Sequence, residues 1–262
     1  SNPAVTLNDM KNFLNEKYKV APHITTLSGI LSNLRITNKT LVHIPVDRNT
    51  PLLAQKRTEW SITWRYLERA GSRFIYIDEA GFNLHLCPNR GWGLVGFSPE
   101  VQVPKNREQN VSLIAALIPG RPVESFYIKR GAMTSDDIVK WMEDSLFPLC
   151  EREFAGQPIV IVMDNAQCHG VAVQRSITEH GYRFLKTIPY SPQLNPIERM
   201  FAQIKMHVSR KTKTNGAQLI AQIEEGISHV TTENTTNYLR AHLSVLELVQ
   251  RGFLLGSDHV FK

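Results

Sequence analysis

The first forty residues contain two stretches in which apolar side chains recur at helical spacing. In the first, residues 7 to 18 carry an apolar residue every third or fourth position, and Thr6 and Asp9 stand at the N-cap and N3 positions of a capping box. A break that includes Pro22 precedes the second stripe, which runs from Leu27 to Leu34 before polar residues end it. The pattern predicts two short helices across a tight turn.

Two short helices joined in this way are typical of a helix-turn-helix, whose second helix enters a DNA groove. That helix would present a set of small polar side chains and one basic side chain: Thr25, Thr26, Ser28, Ser32, Asn33 and Arg35. A plain helical hairpin is the alternative, because Arg35 is the only basic residue in the helix. A three-helix unit also needs an earlier helix, so we expect that this DNA-binding segment could be partial at its amino terminus.

The pattern changes twice further along the chain. Residues 46–70 are polar and mixed in charge, with breaks at Pro45 and Pro51 before a helix that carries Trp60 and Trp64. From residue 71, short apolar runs separated by Gly and Pro alternate with helical patterns, which is typical of an α/β domain. We therefore predict a helix-turn-helix segment over 1–45, a linker over 46–70 and a catalytic domain over 71–262.

Continuous apolar runs of strand length indicate the central strands of this domain, since such runs are buried on both faces of a sheet. They cover 74–77, 111–118 and 159–163, and a further strand is predicted at 183–187. Residues 91–103, with their glycines and a proline, are interpreted as a more exposed hairpin. Helices are predicted over 136–149, 171–180 and 196–208.

Two of these strands end in a carboxylate, because Asp78 follows one run and Asp164 follows another. If the strands are neighbours, both acids lie at the carboxyl edge of the sheet, where open α/β sheets collect ligands. Two anions so close repel each other unless a cation lies between them. Oxygen-only ligation favours Mg²⁺ over zinc. The alternative is that both acids merely cap turns.

A third acid, Glu198, lies at the start of the predicted helix 196–208. Asn195 is placed as the N-cap, Pro196 at the first helical position and Glu198 at N3. A capping box alone is one interpretation of this arrangement. Pro192 and Pro196 would also hold the acid rigidly, as a metal ligand requires. Lys205 lies two turns further on the same face, where it would either contact a phosphate or be solvated.

The composition of the chain indicates a positive net charge and favours an intracellular location. Lys and Arg outnumber Asp and Glu by 30 to 24, a net charge of +6, which favours a polyanionic partner. The basic group of Lys205, Arg210, Lys211 and Lys213 is a candidate contact for a phosphate backbone, and a solvated face is the alternative. Three cysteines without a CxxC pair indicate a reducing compartment, and their spacing from histidines argues against a zinc motif. No apolar run is long enough to span a membrane.

Three sequence blocks resemble a known family. The segments IDEAGF around Asp78, VMDNAQCH around Asp164 and PYSPQLNPIERMF around Glu198 are similar to the signature blocks of the Tc/mariner superfamily of DDE transposases and their bacterial insertion-sequence relatives. Asp164 and Glu198 are 34 residues apart (198 minus 164), within a residue of that family's spacing. The third acid is Glu where the mariner branch has Asp, so the Tc and insertion-sequence branches are closer. The resemblance covers about Arg48 to Arg210.

The resemblance implies a ribonuclease-H-like fold, a mixed five-stranded sheet flanked by helices, with Asp78, Asp164 and Glu198 as the catalytic metal ligands. Two Mg²⁺ ions about 3.5–4 Å apart, or Mn²⁺ in their place, would serve hydrolysis at a transposon end and attack of the freed 3′-OH on target DNA at TA. The enzyme would act on double-stranded DNA as a homodimer or larger assembly. It would work in the nucleus of a eukaryote or the cytoplasm and nucleoid of a bacterium.

The same resemblance assigns supporting roles around the acids. In the pattern DNxxxH, Asn165 and His169 are expected to support the ligands or contact DNA, as are Asn195 and Lys205, although a purely structural histidine is the alternative. The hairpin over 90–104 would contact a partner subunit or simply pack on the core. Two other functions stay open: a domesticated descendant that binds DNA without cutting it, and a ribonuclease-H-like nuclease, which does not call for a helix-turn-helix.

Overall fold

The computed structural model describes residues 4–38, 45–88 and 110–252, together with the isolated residues 94, 98, 100 and 105. The chain divides into two compact units, residues 1–45 and residues 46–262. Apart from those isolated positions, the hairpin predicted over 91–103 lies outside the described residues. Within the described part of the chain, no helix has the length and apolar character needed to cross a membrane.

The first unit contains the two predicted helices, α1 (Leu7–Tyr18) and α2 (Ile24–Asn33). The capping box of α1 is present, because Thr6 and Asp9 exchange hydrogen bonds as the sequence predicts. His23 caps α2 by accepting a hydrogen bond from the backbone of Thr25. Leu27 of α2 is buried, whereas most other apolar side chains of this unit are exposed.

The second unit is built on the mixed five-stranded sheet that the resemblance implied. Its strands lie in the order β3-β2-β1-β4-β5, with β4 and β5 parallel to β1 and with β2 antiparallel to both β1 and β3. The strands are β1 (Arg73–Phe82), β2 (Val111–Leu117), β3 (Phe126–Arg130), β4 (Ile159–Met163) and β5 (Arg183–Lys186). Tyr76 pairs with Val162, so Asp78 and Asp164 each lie two residues beyond the same pair.

Helices cover both faces of this sheet. They are α3 (Pro51–Arg69), α4 (Ser135–Trp141), α5 (Phe147–Phe154), α6 (Val171–Glu179), α7 (Ile197–Ser209), α8 (Gly216–Ser228) and α9 (Thr232–Gln250). A π-helical stretch, Met142–Leu146, joins α4 to α5. Alternation along β1 sends Tyr76 into the core beneath α3 and α7 to α9, and sends Ile75 and Ile77 into the core beneath α4 to α6.

The segment predicted as a linker differs from that prediction. Residues 46–70 form a short 3-10 turn (Val46–Asn49) and helix α3, whose Trp60 and Trp64 are 4% and 1% exposed. The Trp64 indole stacks on Phe74 of β1 with ring centroids 4.4 Å apart. Large aromatic side chains that are buried in this way contribute strongly to a core. The exposed positions of α3 include the charged residues Lys56, Glu59 and Arg69, and these side chains gave the segment its linker-like composition.

Candidate active site

The structure brings the three predicted acids to one cavity. Asp78 extends from the middle of β1, Asp164 follows β4 and Glu198 lies in the first turn of α7. All three line a cavity of about 310 Å³ at the carboxyl edge of the parallel strands, together with Asn165 and Asn195. The cavity therefore combines carboxylates from three separate elements.

The carboxylates of the cavity repel one another. Burial, followed by the charges of Asp164 and Glu198, raises the pKa of Asp78 to about 8. The pKa of Glu198 is also raised, by burial and by Asp164, although Lys205 opposes this effect. A divalent cation among these oxygens would relieve the repulsion. Oxygen donors of this kind match the preference of Mg²⁺ and other hard cations.

Asp164 is held ionised and oriented by its neighbours. Burial alone would raise its pKa, but hydrogen bonds from His169 and from the Ala166 backbone outweigh burial and lower the pKa. His169 Nδ1 lies 2.7 Å and the Ala166 amide nitrogen 2.8 Å from Oδ1 of Asp164. No hydrogen bond to the other oxygen, Oδ2, comes from a described residue. That oxygen is thus available to a cation.

Asn195 has a different position from the predicted one. Helix α7 begins at Ile197 after Pro196, and no side chain caps it, so the prediction of an N-cap at Asn195 is wrong. The Asn195 side chain is buried and donates from Nδ2 to Oδ2 of Asp78 at 2.9 Å. Its own Oδ1 is buried and has no hydrogen-bond partner among the described residues. An unpaired carbonyl oxygen beside three carboxylates fits a cation or its water ligands.

The other residues predicted around the acids have mixed positions. Asn165 donates to the backbone oxygen of Thr187 and so ties the end of β4 to the end of β5. His169 is fully buried against Asp164. Lys205 lies on α7 with its ammonium group 5.9 Å from the centre of the Phe82 ring. All three are near the acids, although only Asn165 lines the cavity itself.

The predicted DNA-contact residues lie elsewhere. Lys211 pairs with Glu225 at 3.1 Å, and neither it nor Arg210 lines the cavity. The polar side chains predicted to enter a DNA groove are exposed in the first unit: Thr25, Thr26, Ser28, Ser32, Asn33 and Arg35. Arg35 was predicted in the second helix, but it lies two residues beyond the end of α2 and has a positive φ of 56°.

The sequence predicted no role for two residues that lie in or beside the site, Tyr190 and Glu79. Tyr190 lines the cavity, is 52% exposed and has a positive φ of 55°. It lies inside the third sequence block, but nothing in the local pattern shows that its ring is exposed. Glu79 lies next to Asp78 and approaches His169 Nε2 at 3.2 Å. The alternation of a strand could have indicated that Glu79 faces away from Asp78.

Comparisons with known proteins agree with this geometry. A family model described as DDE superfamily endonuclease matches residues 73–220. The Mos1 mariner paired-end complex with Mn aligns with 14% identity and a TM-score of 0.76, over 98% of this chain and 81% of that chain. The catalytic domain of Mos1 mariner transposase aligns with 14% identity and a TM-score of 0.63, over 83% of this chain and 100% of that chain. No curated protein matches the sequence.

At these identities the structural likeness establishes the fold, so the predicted ribonuclease-H-like architecture is confirmed. The family match is a separate observation that covers more than half of the chain and includes Asp78, Asp164 and Glu198. The chain belongs to the DDE superfamily endonuclease family.

Proposed function

We propose that this chain is a DNA transposase of the Tc/mariner type. It hydrolyses a phosphodiester at a transposon end and then joins the freed 3′-OH to target DNA, with TA as the expected target. The observation that carries the proposal is the meeting of Asp78, Asp164 and Glu198 in one cavity. Solved Mos1 complexes described as a paired-end complex and a Strand Transfer Complex have the same fold, which supports this choice within the family.

Asp78, Asp164 and Glu198 would hold two Mg²⁺ ions, for which Mn²⁺ is the expected substitute. Their donors are all oxygen, and Asn195 Oδ1 lacks a partner among the described residues. Burial and the neighbouring carboxylates raise the pKa of Asp78, and a bound cation would oppose both effects. When bound, such ions activate the attacking oxygen and stabilise the leaving 3′ oxygen.

The residues of the chain supply orientation for both steps. Asn195 fixes the Asp78 carboxylate, and His169 with the Ala166 amide fixes that of Asp164. The buried start of α7 holds Glu198 beside them. Hydrolysis and strand transfer use the same three carboxylates, so the loss of one is expected to abolish both steps.

The DNA partner is double-stranded terminal-repeat and target DNA. We propose that the exposed side chains of α2 read a groove, and that a homodimer or larger assembly pairs the two ends, in the nucleus of a eukaryote or the nucleoid of a bacterium. Basic side chains would contact the phosphate backbone: Lys205, Arg210 and Lys211.

A cleavage assay tests the proposal. Purified protein is incubated with end-bearing duplex DNA and Mg²⁺, and wild type is compared with Glu198→Gln and with the matched control Glu224→Gln, whose side chain is exposed on α8. We expect cutting and strand transfer by wild type and by the control, and neither by Glu198→Gln. Equal cutting by all three proteins would remove Glu198 from the chemistry. Cutting without joining would favour a plain nuclease.

A further inference from the structure

A second cluster of metal-binding side chains lies next to the active site. Transition-metal sites often combine oxygen, sulfur and nitrogen donors. Here a carboxylate oxygen of Glu79, the sulfur of Cys168 and a ring nitrogen of His169 lie within 4.8 Å of one another. Glu79 Oε1 is 3.3 Å from Cys168 Sγ, and Glu79 Oε2 is 3.2 Å from His169 Nε2. Each of the three atoms can therefore reach a common point.

The cluster is separate from the three catalytic carboxylates. Successive residues of a strand face opposite sides of the sheet, so Glu79 faces the side covered by α4 to α6 while Asp78 faces the side of α7. Cys168 and His169 lie on the 3-10 turn (Gln167–His169) that follows β4. Ser135 donates to the backbone oxygen of Cys168 and holds this turn against the start of α4.

His169 has the arrangement of a metal ligand. Its Nδ1 is bonded to the carboxylate of Asp164, and ligating histidines commonly bond a carboxylate through the nitrogen that does not touch the metal. Its Nε2 is fully buried and lies 3.2 Å from Glu79 Oε2. A buried ring nitrogen that faces a carboxylate and a thiol is placed to ligate a cation once it releases its proton.

We propose that Glu79, Cys168 and His169 bind one zinc-type divalent cation, with a water or other small ligand completing the coordination. A thiolate and an imidazole select Zn²⁺ or Co²⁺ over Mg²⁺, unlike the oxygen-only cavity on the other side of the sheet. Binding releases the thiol proton and the proton on His169 Nε2 to solvent. The sequence argued against a zinc motif because the spacings of its cysteines and histidines are irregular, and those spacings leave out Glu79, which is 89 residues from Cys168 in the chain.

The bound cation would act on the active site through His169. A cation bound to Nε2 would fix the imidazole ring and keep its Nδ1 hydrogen-bonded to Oδ1 of Asp164. This hydrogen bond connects the cation site to the catalytic carboxylates. Cation binding itself does not depend on the proposed transposase function.

Co²⁺ titration of the full-length protein tests this proposal, because a Co–thiolate bond gives a charge-transfer absorption band that oxygen ligands lack. The titration is made with excess Mg²⁺ present, on wild type, Cys168→Ser and the matched control Cys87→Ser, with circular dichroism to verify folding. We expect a one-to-one band for wild type and Cys87→Ser that added Zn²⁺ removes. Cys168→Ser should lose the band, and its affinity for Co²⁺ should fall by more than about 100-fold. Loss of a residue that only supports a ligand costs about 10–100-fold, so the larger loss indicates a direct ligand.

Two results would overturn the proposal: no band in the folded wild-type protein, or a band of equal strength in folded Cys168→Ser. If Cys168→Ser does not fold, the variant Glu79→Gln is titrated in its place. We expect folded Glu79→Gln to bind Co²⁺ more weakly than wild type, and equal binding would overturn the proposal. The Co²⁺ titration does not depend on DNA cleavage, so a failure of the proposed transposase function would not change its result. The two proposals can therefore be disproved independently.

Discussion

Asp78 is the residue whose charge depends most on a bound cation. Its pKa is raised to about 8 in the folded protein, above the ordinary value of 3.8, by burial and by the neighbouring Asp164 and Glu198. A carboxyl group with a raised folded pKa adds stability below its unfolded pKa, and this contribution is lost as pH rises through the folded pKa. The metal-free protein should therefore lose stability between about pH 4 and pH 8.

Asp78→Asn tests this dependence, because the amide cannot ionise. Urea unfolding in a chelator should show that the free energy of unfolding of the variant falls less between pH 4 and pH 8 than that of wild type. Added Mg²⁺ at pH 8 should stabilise wild type and have much less effect on the variant. Parallel pH profiles for the two proteins would contradict the assignment of the raised pKa to Asp78.

Asn195 positions Asp78 through one hydrogen bond, and its removal should loosen the metal site without unfolding the protein. Loss of an outer hydrogen-bond partner of a ligand usually costs about 10–100-fold in metal affinity or activity. Asn195→Ala should raise the Mg²⁺ concentration for half-maximal cleavage by about that factor. The surface variant Asn237→Ala should leave it unchanged, and an unchanged value for Asn195→Ala would exclude the positioning role.

The acids could be found from sequence because each follows a local signal, an apolar run of strand length or a proline-marked helix start. The prediction that Asp78 ends its strand is wrong, since β1 continues to Phe82. The partner of Asn195 could not be found in that way. Asp78 and Asn195 are 117 residues apart, so their hydrogen bond forms only after β1 and the start of α7 have come together. Glu79 was missed for the same reason, since its contacts with Cys168 and His169 arise only after the strands pair.

At the scale of elements, the end of α7 is tied to the segment after β1 by Lys213. This lysine is 5% exposed, and its ammonium group donates to the backbone oxygens of Leu86, Val208 and Lys211. Lys213 is thus a structural cation, and the prediction that it contacts a phosphate backbone is wrong, because its ammonium group is buried on backbone oxygens. Lys211 forms only a surface ion pair with Glu225.

Lys213→Met should lower the free energy of unfolding by at least about 1.5–3 kcal/mol, because buried carbonyls lose charged donors. Lys211→Met should cost at most about 1 kcal/mol, as exposed ion pairs do. Urea unfolding curves of the two variants and wild type measure both values. Equal stability of the two variants would show that Lys213 does not hold this junction.

The central strands were predictable because continuous apolar runs mark burial on both faces. The edge strand β3 was not predicted, since it is short, none of its residues is fully buried and its sequence FYIKR forms no continuous apolar run. The helical pattern over 136–149 was correct in type, but nothing in its periodicity indicated the π-helical stretch Met142–Leu146. Local sequence propensity determines the type of element, whereas such details depend on tertiary packing.

At the scale of the whole molecule, α3 belongs to the core of the second unit and does not act as a linker. Removing it would expose the core around Trp60 and Trp64. Each buried tryptophan contributes about 3–5 kcal/mol by truncation, so together they approach the whole stability of a typical domain, about 5–15 kcal/mol.

A fragment of residues 46–262 should therefore fold, with a cooperative thermal transition, while a fragment of residues 71–262 should not. Circular dichroism melting curves and size-exclusion chromatography distinguish the two outcomes. If the fragment of residues 71–262 is folded and monomeric, α3 is not needed for folding and the domain begins at residue 71, as the sequence predicted.

The central claim is that Asp78, Asp164 and Glu198 together hold divalent cations. Anomalous scattering from a crystal of the protein soaked in Mn²⁺ measures this most directly. The account predicts anomalous density among the three carboxylates in wild type and weaker or no density in Glu198→Gln. Absence of density there in wild type, at a Mn²⁺ concentration that supports DNA cleavage, would contradict it.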